Sequence, residues 1–307
     1  MRVLVTGGAG YLGAALVGRL ARQDDVDEVV IYDNLSRGEQ AVFLAGGMPG
    51  RTRPVRLVQA DLLDTRRLAR ALAGIDVVYH LAARVTTPFA HGDIHGYDQV
   101  NRWGTAELGH LLEAGNTSVK RLVNVSSAAV YGDTSDAATL DTPPAPVSAY
   151  GVSKWQGERL LQRLAGQLDL CQVRCANVYG HGVAMRFDAV VNRLLFEAHF
   201  GGRMTLNGSG EQRRSFVHVD SAAAVLDVLG RGSLGAGVFH LVERTETVLD
   251  VARAVGAIYP DVESLFISQH LRLPDSVIGM DPRVPTSLLE TRAMPEVLRD
   301  TAARFAF

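Results

Sequence analysis

A short apolar run at residues 3–6 ends in Gly7-Gly8-Ala9-Gly10-Tyr11-Leu12-Gly13, and helical periodicity begins at once, with Leu12, Ala15, Leu16 and Leu20 on one face. Few folds turn a strand into a helix through glycines alone. Glycine permits positive φ and lets main chain approach a ligand, and the helix behind the turn offers unpaired N–H groups to a pyrophosphate. Both Gly7-x-x-Gly10-x-x-Gly13 and Gly8-x-Gly10-x-x-Gly13 spacings are present. Such a motif carries weight only between a strand and a helix, which is where this one lies. A second apolar run, 29–32, ends at Asp33, 20 residues after Gly13. A carboxylate there accepts hydrogen bonds from adenosine ribose hydroxyls and repels a 2′-phosphate, which favours NAD over NADP. Arg37 lies close enough to soften that preference.

The same alternation continues. Apolar runs at 55–59, 77–81, 121–126 and 170–176 read as strands, and 65–73, 101–113 and 150–168 as helices, with Thr65 as an N-cap. Continuously apolar strands separated by helices imply a parallel sheet covered on both faces. The fold class is therefore α/β, a Rossmann-type doubly wound sheet over residues 1–176. The alternation fades after Ala176. A helix at 188–200, a strand at 204–206 and a helix at 221–229 read as a smaller C-terminal substrate-binding lobe over 177–307, interleaved with the first domain, from which the sheet can draw further strands. Asp61-Leu62 and His80-Leu81-Ala82-Ala83 fall at the carboxyl edge of the sheet, where ligands of open α/β folds bind.

Composition excludes several classes. The chain has 307 residues, 47% of them hydrophobic, and 31 basic against 33 acidic groups give a net charge of −2. No global positive field draws nucleic acid or an anionic membrane, and no run of about 18 apolar residues suggests a membrane span. The apolar residues before the first glycines are too few for a signal-peptide core, so a cytoplasmic location is expected. Cys171 and Cys175 are the only cysteines. In a strand they stand roughly 13 Å apart, too far for a disulfide, so free thiols are expected.

Tyr150 and Lys154 open the long helix at i and i+4, on one helical face. An ammonium beside a phenol favours the phenolate, which can act as a general base near neutral pH. Ser126 and Ser127 end the fifth strand at the same sheet edge, where a hydroxyl can bond the same substrate oxygen.

Together, TGGAGYLG, Asp33-Asn34-Leu35-Ser36, HLAA (80–83), SSAAVYG (126–132) and YGVSK (150–154) resemble the extended short-chain dehydrogenases, and within them the NAD-dependent nucleotide-sugar epimerase/dehydratase group, with a likeness to UDP-glucose 4-epimerase. The resemblance covers most of the chain. It implies Tyr150, Lys154 and Ser127 as catalytic residues, Ser127 because it lies four residues before Tyr131. It implies a cofactor site of Gly7, Gly10, Tyr11, Leu12, Gly13, Asp33, Asn34, Asp61, Leu62, Leu81, Ala82, Ala83, Asn101, Ser126, Tyr150 and Lys154. Substrate contacts are expected from Thr86, Ser127, Asn177, Arg214, Arg272 and Arg186, the arginines being suited to a diphosphate. The resemblance also implies a homodimer pairing helices 101–113 and 150–168 with their copies.

The implied chemistry removes a sugar hydroxyl proton at C4 while hydride passes to NAD, giving a 4-keto sugar. Dehydratases of the group carry an acidic pair just after the catalytic Ser/Thr, and its decarboxylases tend to place Glu there. This chain has Ala128 and Ala129. Epimerisation needs no further acid or base and is the favoured reading. A dehydratase, decarboxylase or ketosugar oxidoreductase is the alternative, and a non-catalytic dinucleotide sensor a remote one, since sensors characteristically lose the Tyr/Lys pair. His181 stands where the group commonly has Pro and reads as a loop residue. His91 and His95 are four apart, but the glycine between them argues against a metal-binding helix.

Overall fold

The computed structural model describes residues 1–37, 40–44, 50–85, 94–268, 270–271 and 273–306. The chain runs β1 (Arg2–Thr6), α1 (Tyr11–Leu20), β2 (Glu28–Asp33), a 3-10 turn (Gln40–Phe43), β3 (Val55–Gln59), α2 (Thr65–Ala71), β4 (Val77–His80), α3 (Ile94–Tyr97), a π-helical stretch (Asp98–Gly104), α4 (Thr105–Glu113), β5 (Arg121–Ser127), a second 3-10 turn (Ala128–Tyr131), α5 (Ala149–Leu161) and β6 (Asp169–Cys175). It continues through β7 (Asn177–Tyr179), α6 (Val190–Gly201), β8 (Arg203–Asn207), β9 (Arg213–His218), α7 (Val219–Gly230), β10 (Gly237–Leu241), β11 (Arg244–Thr247), α8 (Val248–Gly256), β12 (Glu263–Ile267) and α9 (Met294–Ala302).

Among the described residues, seven parallel strands form one sheet in the order β10-β6-β5-β4-β1-β2-β3. Side chains alternate between its faces. Val3, Val5, Val29 and Ile31 pack against Leu16, Val17, Leu226 and Leu229 on one side. Leu4, Val30, Tyr32 and Leu122 pack against Leu68, Leu72, Leu108, Leu112 and Leu161 on the other. Burial on both faces is why these strands read as unbroken apolar runs, and each such side chain contributes about 1.5–3 kcal/mol.

The structure revises several expected boundaries. Asp64, not Thr65, caps α2, its carboxylate accepting from the Arg67 N–H. Segment 101–113 is not one α-helix but begins within the π-helical stretch. The long helix ends at Leu161 rather than 168, and Gly166 turns the chain at φ +89°. The helix placed at 221–229 belongs to the sheet layer. Ten of the twelve residues of α7 are buried, among them Leu226 and Leu229 in the core shared with α1, and Arg19 of α1 pairs with its Asp227 at 2.9 Å. The seventh strand, β10, also comes from this half of the chain. The remaining elements build the second lobe, in which a β7-β9-β11 sheet and a β8-β12 pair pack with α6, α8 and α9 around Leu194, Leu195, Phe216, Val251 and Leu298.

One polar chain threads the core beneath the site. The Ala82 N–H donates to Thr6 Oγ1, which lies 2.8 Å from His80 Nδ1, and His80 Nε2 is 2.9 Å from Thr105 Oγ1. Thr105 spends its only proton on the Asn101 carbonyl at 2.7 Å. It must therefore accept from Nε2–H, leaving Nδ1 to accept from Thr6. His80 is thus a neutral Nε2–H tautomer, and burial pushes its pKa down to about 3. Below an unfolded value of 6.5 only the unfolded chain takes up this proton, so stability falls as pH drops from 6.5 toward 3, by at most about 1.4 kcal/mol per pH unit. Denaturant unfolding at pH 7 and pH 5 should show a pH penalty smaller by about 2 kcal/mol in His80→Gln than in wild type; equal penalties would refute the assignment.

Candidate active site

The strand order reverses between β1 and β4, and the crevice opened there carries the site. The turn after β1 presses against the chain after β4. A Cβ on Gly7, whose φ is +69°, would lie 2.6 Å from the Ala82 nitrogen, and one on Gly13 would lie 2.1 Å from the Gly7 carbonyl oxygen. No side chain among the described residues caps α1, and Tyr11, Leu12 and Gly13 of its first turn line the crevice. Main-chain N–H groups at a helix start, reached across bare glycine, suit a pyrophosphate.

Asp33 fixes the next part of the crevice. One of its carboxylate oxygens accepts from the Ala9 N–H at 3.0 Å and the other from the Leu35 N–H at 2.8 Å. Each oxygen keeps lone pairs for ribose hydroxyls. Asn34 donates to Asp61 at 2.8 Å, tying β2's end to β3's. A cavity of about 760 Å³ runs from these residues past Leu62, Leu81, Ala82, Ala83 and Ser126 to Ser127, Tyr150 and Lys154, and on to Asn177, Arg186 and Arg214. The Ser126 hydroxyl is buried with no hydrogen-bond partner among the described residues. The glycine cradle, the two-oxygen carboxylate and this unpartnered hydroxyl fit a dinucleotide.

The expected residues converge with these exceptions. Asn101 does not line the cavity. Its amide bonds the Arg84 N–H at 2.8 Å, the Arg84 carbonyl at 2.9 Å and Ser153 Oγ at 3.0 Å, so it fastens the chain after β4 to α5 instead. Thr86, Arg272 and His91 lie outside the described residues. His95 is exposed on α3, and His181 is half-buried outside the cavity lining. Cys171 and Cys175 are free and buried, and Cys175 lines the cavity beside Lys154.

Structure adds residues that no motif marked. Arg193 on α6 lines the cavity together with Arg214, held at 2.8 Å by Glu197, whose other oxygen accepts from the Thr205 N–H at 2.7 Å. Two arginines from separate elements suit a diphosphate. Asp188 pairs with Arg186 at 2.9 Å and with Arg37 at 3.9 Å, joining the segment before α6 to the end of β2. Tyr11 donates to the Gly180 carbonyl and accepts from Asn192 at 3.3 Å, bolting the same segment to the glycine turn.

Tyr150 is half-buried in the cavity wall, edge-on to Tyr97 with ring centroids 5.9 Å apart. Burial raises its pKa above the usual tyrosine value, and a hydrogen bond with Ser127 and the nearby Arg186 charge pull the other way. Ser127 and Arg186 thus pull in the direction expected of Lys154, and burial brings Lys154 itself down to about 8 against the support of Glu158. Loss of either lowering influence raises the Tyr150 pKa. The acid limb of the activity–pH profile should therefore move to higher pH in both Ser127→Ala and Arg186→Gln. A limb that stays in place in both variants would show that Tyr150 is not the group titrating there.

Comparison with known proteins agrees with this geometry. The model of the NAD dependent epimerase/dehydratase family matches residues 3–235. A dTDP-glucose 4,6-dehydratase of Mycobacterium tuberculosis is 31% identical over 242 residues, covering 76% of this chain and 70% of that protein. The UDP-glucose 4-epimerase of Mycolicibacterium smegmatis is 32% identical over 271 residues, covering 84% and 83%. The solved structure of UDP-glucuronic acid 4-epimerase from Bacillus cereus, in complex with UDP-glucuronic acid and NAD, is similar at a TM-score of 0.83 and 25% identity over 99% of this chain and 98% of that one. NAD is the cofactor, and the chain belongs to the NAD-dependent epimerase/dehydratase family of enzymes.

Proposed function

We propose that this enzyme epimerises C4 of a sugar carried on a nucleoside diphosphate. Bound NAD would supply a reversible hydride acceptor and a positive charge. Tyr150 takes the C4 hydroxyl proton and returns it, Ser127 bonds the same oxygen, and Lys154 adds a buried cation on the same helix face. Arg193 and Arg214 grip the diphosphate, and Asn177 lines the same cavity.

The observation that carries the reading is the lack, among the described residues of the cavity wall, of a spare acid to serve beside Tyr150. Ala128 and Ala129 follow Ser127 in the cavity wall, and the acids that line it are engaged, Asp188 with Arg186 and Arg37, Asp33 with the Ala9 and Leu35 N–H groups, and Asp61 with Asn34. Elimination across C5–C6 needs proton transfers that alanine cannot perform, whereas epimerisation needs only the keto sugar to present its other face. The dehydratase relative keeps that reaction as the second reading.

With UDP-, dTDP-, GDP- and CDP-linked hexoses and hexuronates, the expected result is a new stereoisomer with no net cofactor reduction, seen by proton NMR and nicotinamide absorbance together. Tyr150→Phe should lower kcat by about 10²–10⁴-fold. A 6-deoxy-4-keto product, released carbon dioxide or stoichiometric cofactor reduction would replace the epimerase with another reaction of the family.

We also propose a homodimer through the helices flanking the site. Trp103 of the π-helical stretch is 46% exposed and Val152 of α5 is 36% exposed, which leaves apolar surface on the two helices expected to pair. Light scattering should give twice the chain mass for wild type and a smaller mass for Trp103→Glu; a wild-type monomer would end this proposal.

A further inference from the structure

The reacting groups are carried by two separate elements. Ser127 ends β5 and leads into the turn Ala128–Tyr131, while Tyr150 and Lys154 stand on α5. How Ser127 bears on the Tyr150 phenol depends on how the turn and the helix are set against each other. One side chain touches both.

Arg174 lies on β6, in register with Ser126 of β5, and is 4% exposed. Its Nε is 3.2 Å from each Glu158 carboxylate oxygen, and a terminal nitrogen is 2.8 Å from one of them. Glu158 is 2% exposed and one helical turn beyond Lys154, so Tyr150, Lys154 and Glu158 form a single stripe on α5. The other terminal nitrogen of Arg174 donates to Tyr131 Oη at 2.6 Å, at the far end of the turn that follows Ser127. The guanidinium also lies over the rings of Tyr131 and Trp155, at 4.9 and 5.6 Å from their centroids.

The proton directions lock Tyr131. His240 Nδ1 is 3.0 Å from the Gly279 carbonyl, which can only accept, so Nδ1 carries the proton. Nε2, 2.7 Å from Tyr131 Oη, is left as an acceptor for the phenol proton, which the Thr139 carbonyl also faces at 3.1 Å. The oxygen's lone pairs then face Arg174. A second tie fixes the helix, since Gln172 donates to the Glu158 carbonyl at 2.8 Å and accepts from Asn124 at 2.8 Å. We propose that Arg174 is a positioning residue that sets Ser127 against Tyr150, by holding the turn after Ser127 and the helix bearing Tyr150 on one guanidinium. It reaches no substrate and acts through Tyr131 and Glu158. The inference rests on the reading of Ser127 and Tyr150 as the reacting pair.

Removing Arg174 alone strands a buried carboxylate and endangers folding. Tyr131→Phe deletes one hydroxyl and leaves the ion pair, and Arg174→Met/Glu158→Leu removes both charges together. In each variant kcat should fall about 10-fold or more, as a small misplacement of reacting groups does, with KM for the nucleotide sugar and the melting temperature nearly unchanged. The acid limb should move to higher pH, because a lengthened Ser127 bond no longer holds the Tyr150 pKa down. Arg186, Cys175, Tyr97 and Lys154, the other groups facing Tyr150, are untouched in Tyr131→Phe, whereas the double variant also removes the Glu158 charge that supports Lys154, so the limb is read first in Tyr131→Phe. Tyr150→Phe, assayed in parallel, separates the two levels. If it is inactive while Tyr131→Phe and the double variant keep wild-type kcat and limb, Arg174 does not position the pair. Falls in kcat and melting temperature together, with the limb unmoved, would make its role structural only. An active Tyr150→Phe would overturn both this proposal and the reading beneath it.

Discussion

Everything in this molecule is arranged around the contact between Gly7 and Ala82, where the turn after β1 meets the chain after β4 without an intervening side chain. The contact holds open the one crevice that a doubly wound sheet provides. It also brings main-chain nitrogens of the first helical turn to the crevice wall. Gly13 closes the same knot from the other side, packed on the Gly7 carbonyl. Asp33 then clamps the turn through the Ala9 N–H, so the residue suited to read the cofactor also shapes the loop that holds it. The polar chain from Ala82 through Thr6, His80 and Thr105 to Asn101 carries this order into the helical layer, and Asn101 returns it to the strand end through Arg84.

At the reacting end, burial works against charge on every group. It lifts the Tyr150 pKa and lowers that of Lys154, so the empty protein disfavours both the phenolate and the ammonium. Ser127, Arg186 and Glu158 oppose this from three different elements. A site tuned in this way spends little on charge until its ligands arrive, and the positive cofactor adds to the same side of the balance.

Local rules made the cofactor half legible. A glycine turn between strand and helix, an acid at the end of β2 and a Tyr/Lys pair one helical turn apart are contiguous patterns, and the structure brings their side chains to one cavity. What escaped depends on contacts distant in sequence. Arg193 carries no motif and is distinguished only because Glu197, tied to β8, directs it inward. Asn101 was recognisable as a residue near the cofactor, but its three bonds to Arg84 and Ser153 could not be read from its neighbours in sequence. α7 looked like part of the outer lobe because its periodicity says that it is buried and not against what. Besides Lys154, the nearest cation in sequence, Arg186 acts on Tyr150 from across the fold, and no local pattern marks it.

The return of α7 and β10 to the sheet has a consequence for how the chain is made. The inner face of α1 meets its partner only when α7 appears, some 200 residues later, and the Arg19–Asp227 pair forms across the same gap. At ribosomal speeds that interval lasts on the order of 10–40 s. Until then the nascent N-terminal half exposes Leu16, Val17 and Leu20 together with the unpaired edge of β6. A ribosome that stalls before α7 emerges would leave an incomplete sheet with apolar surface exposed rather than a self-sufficient domain.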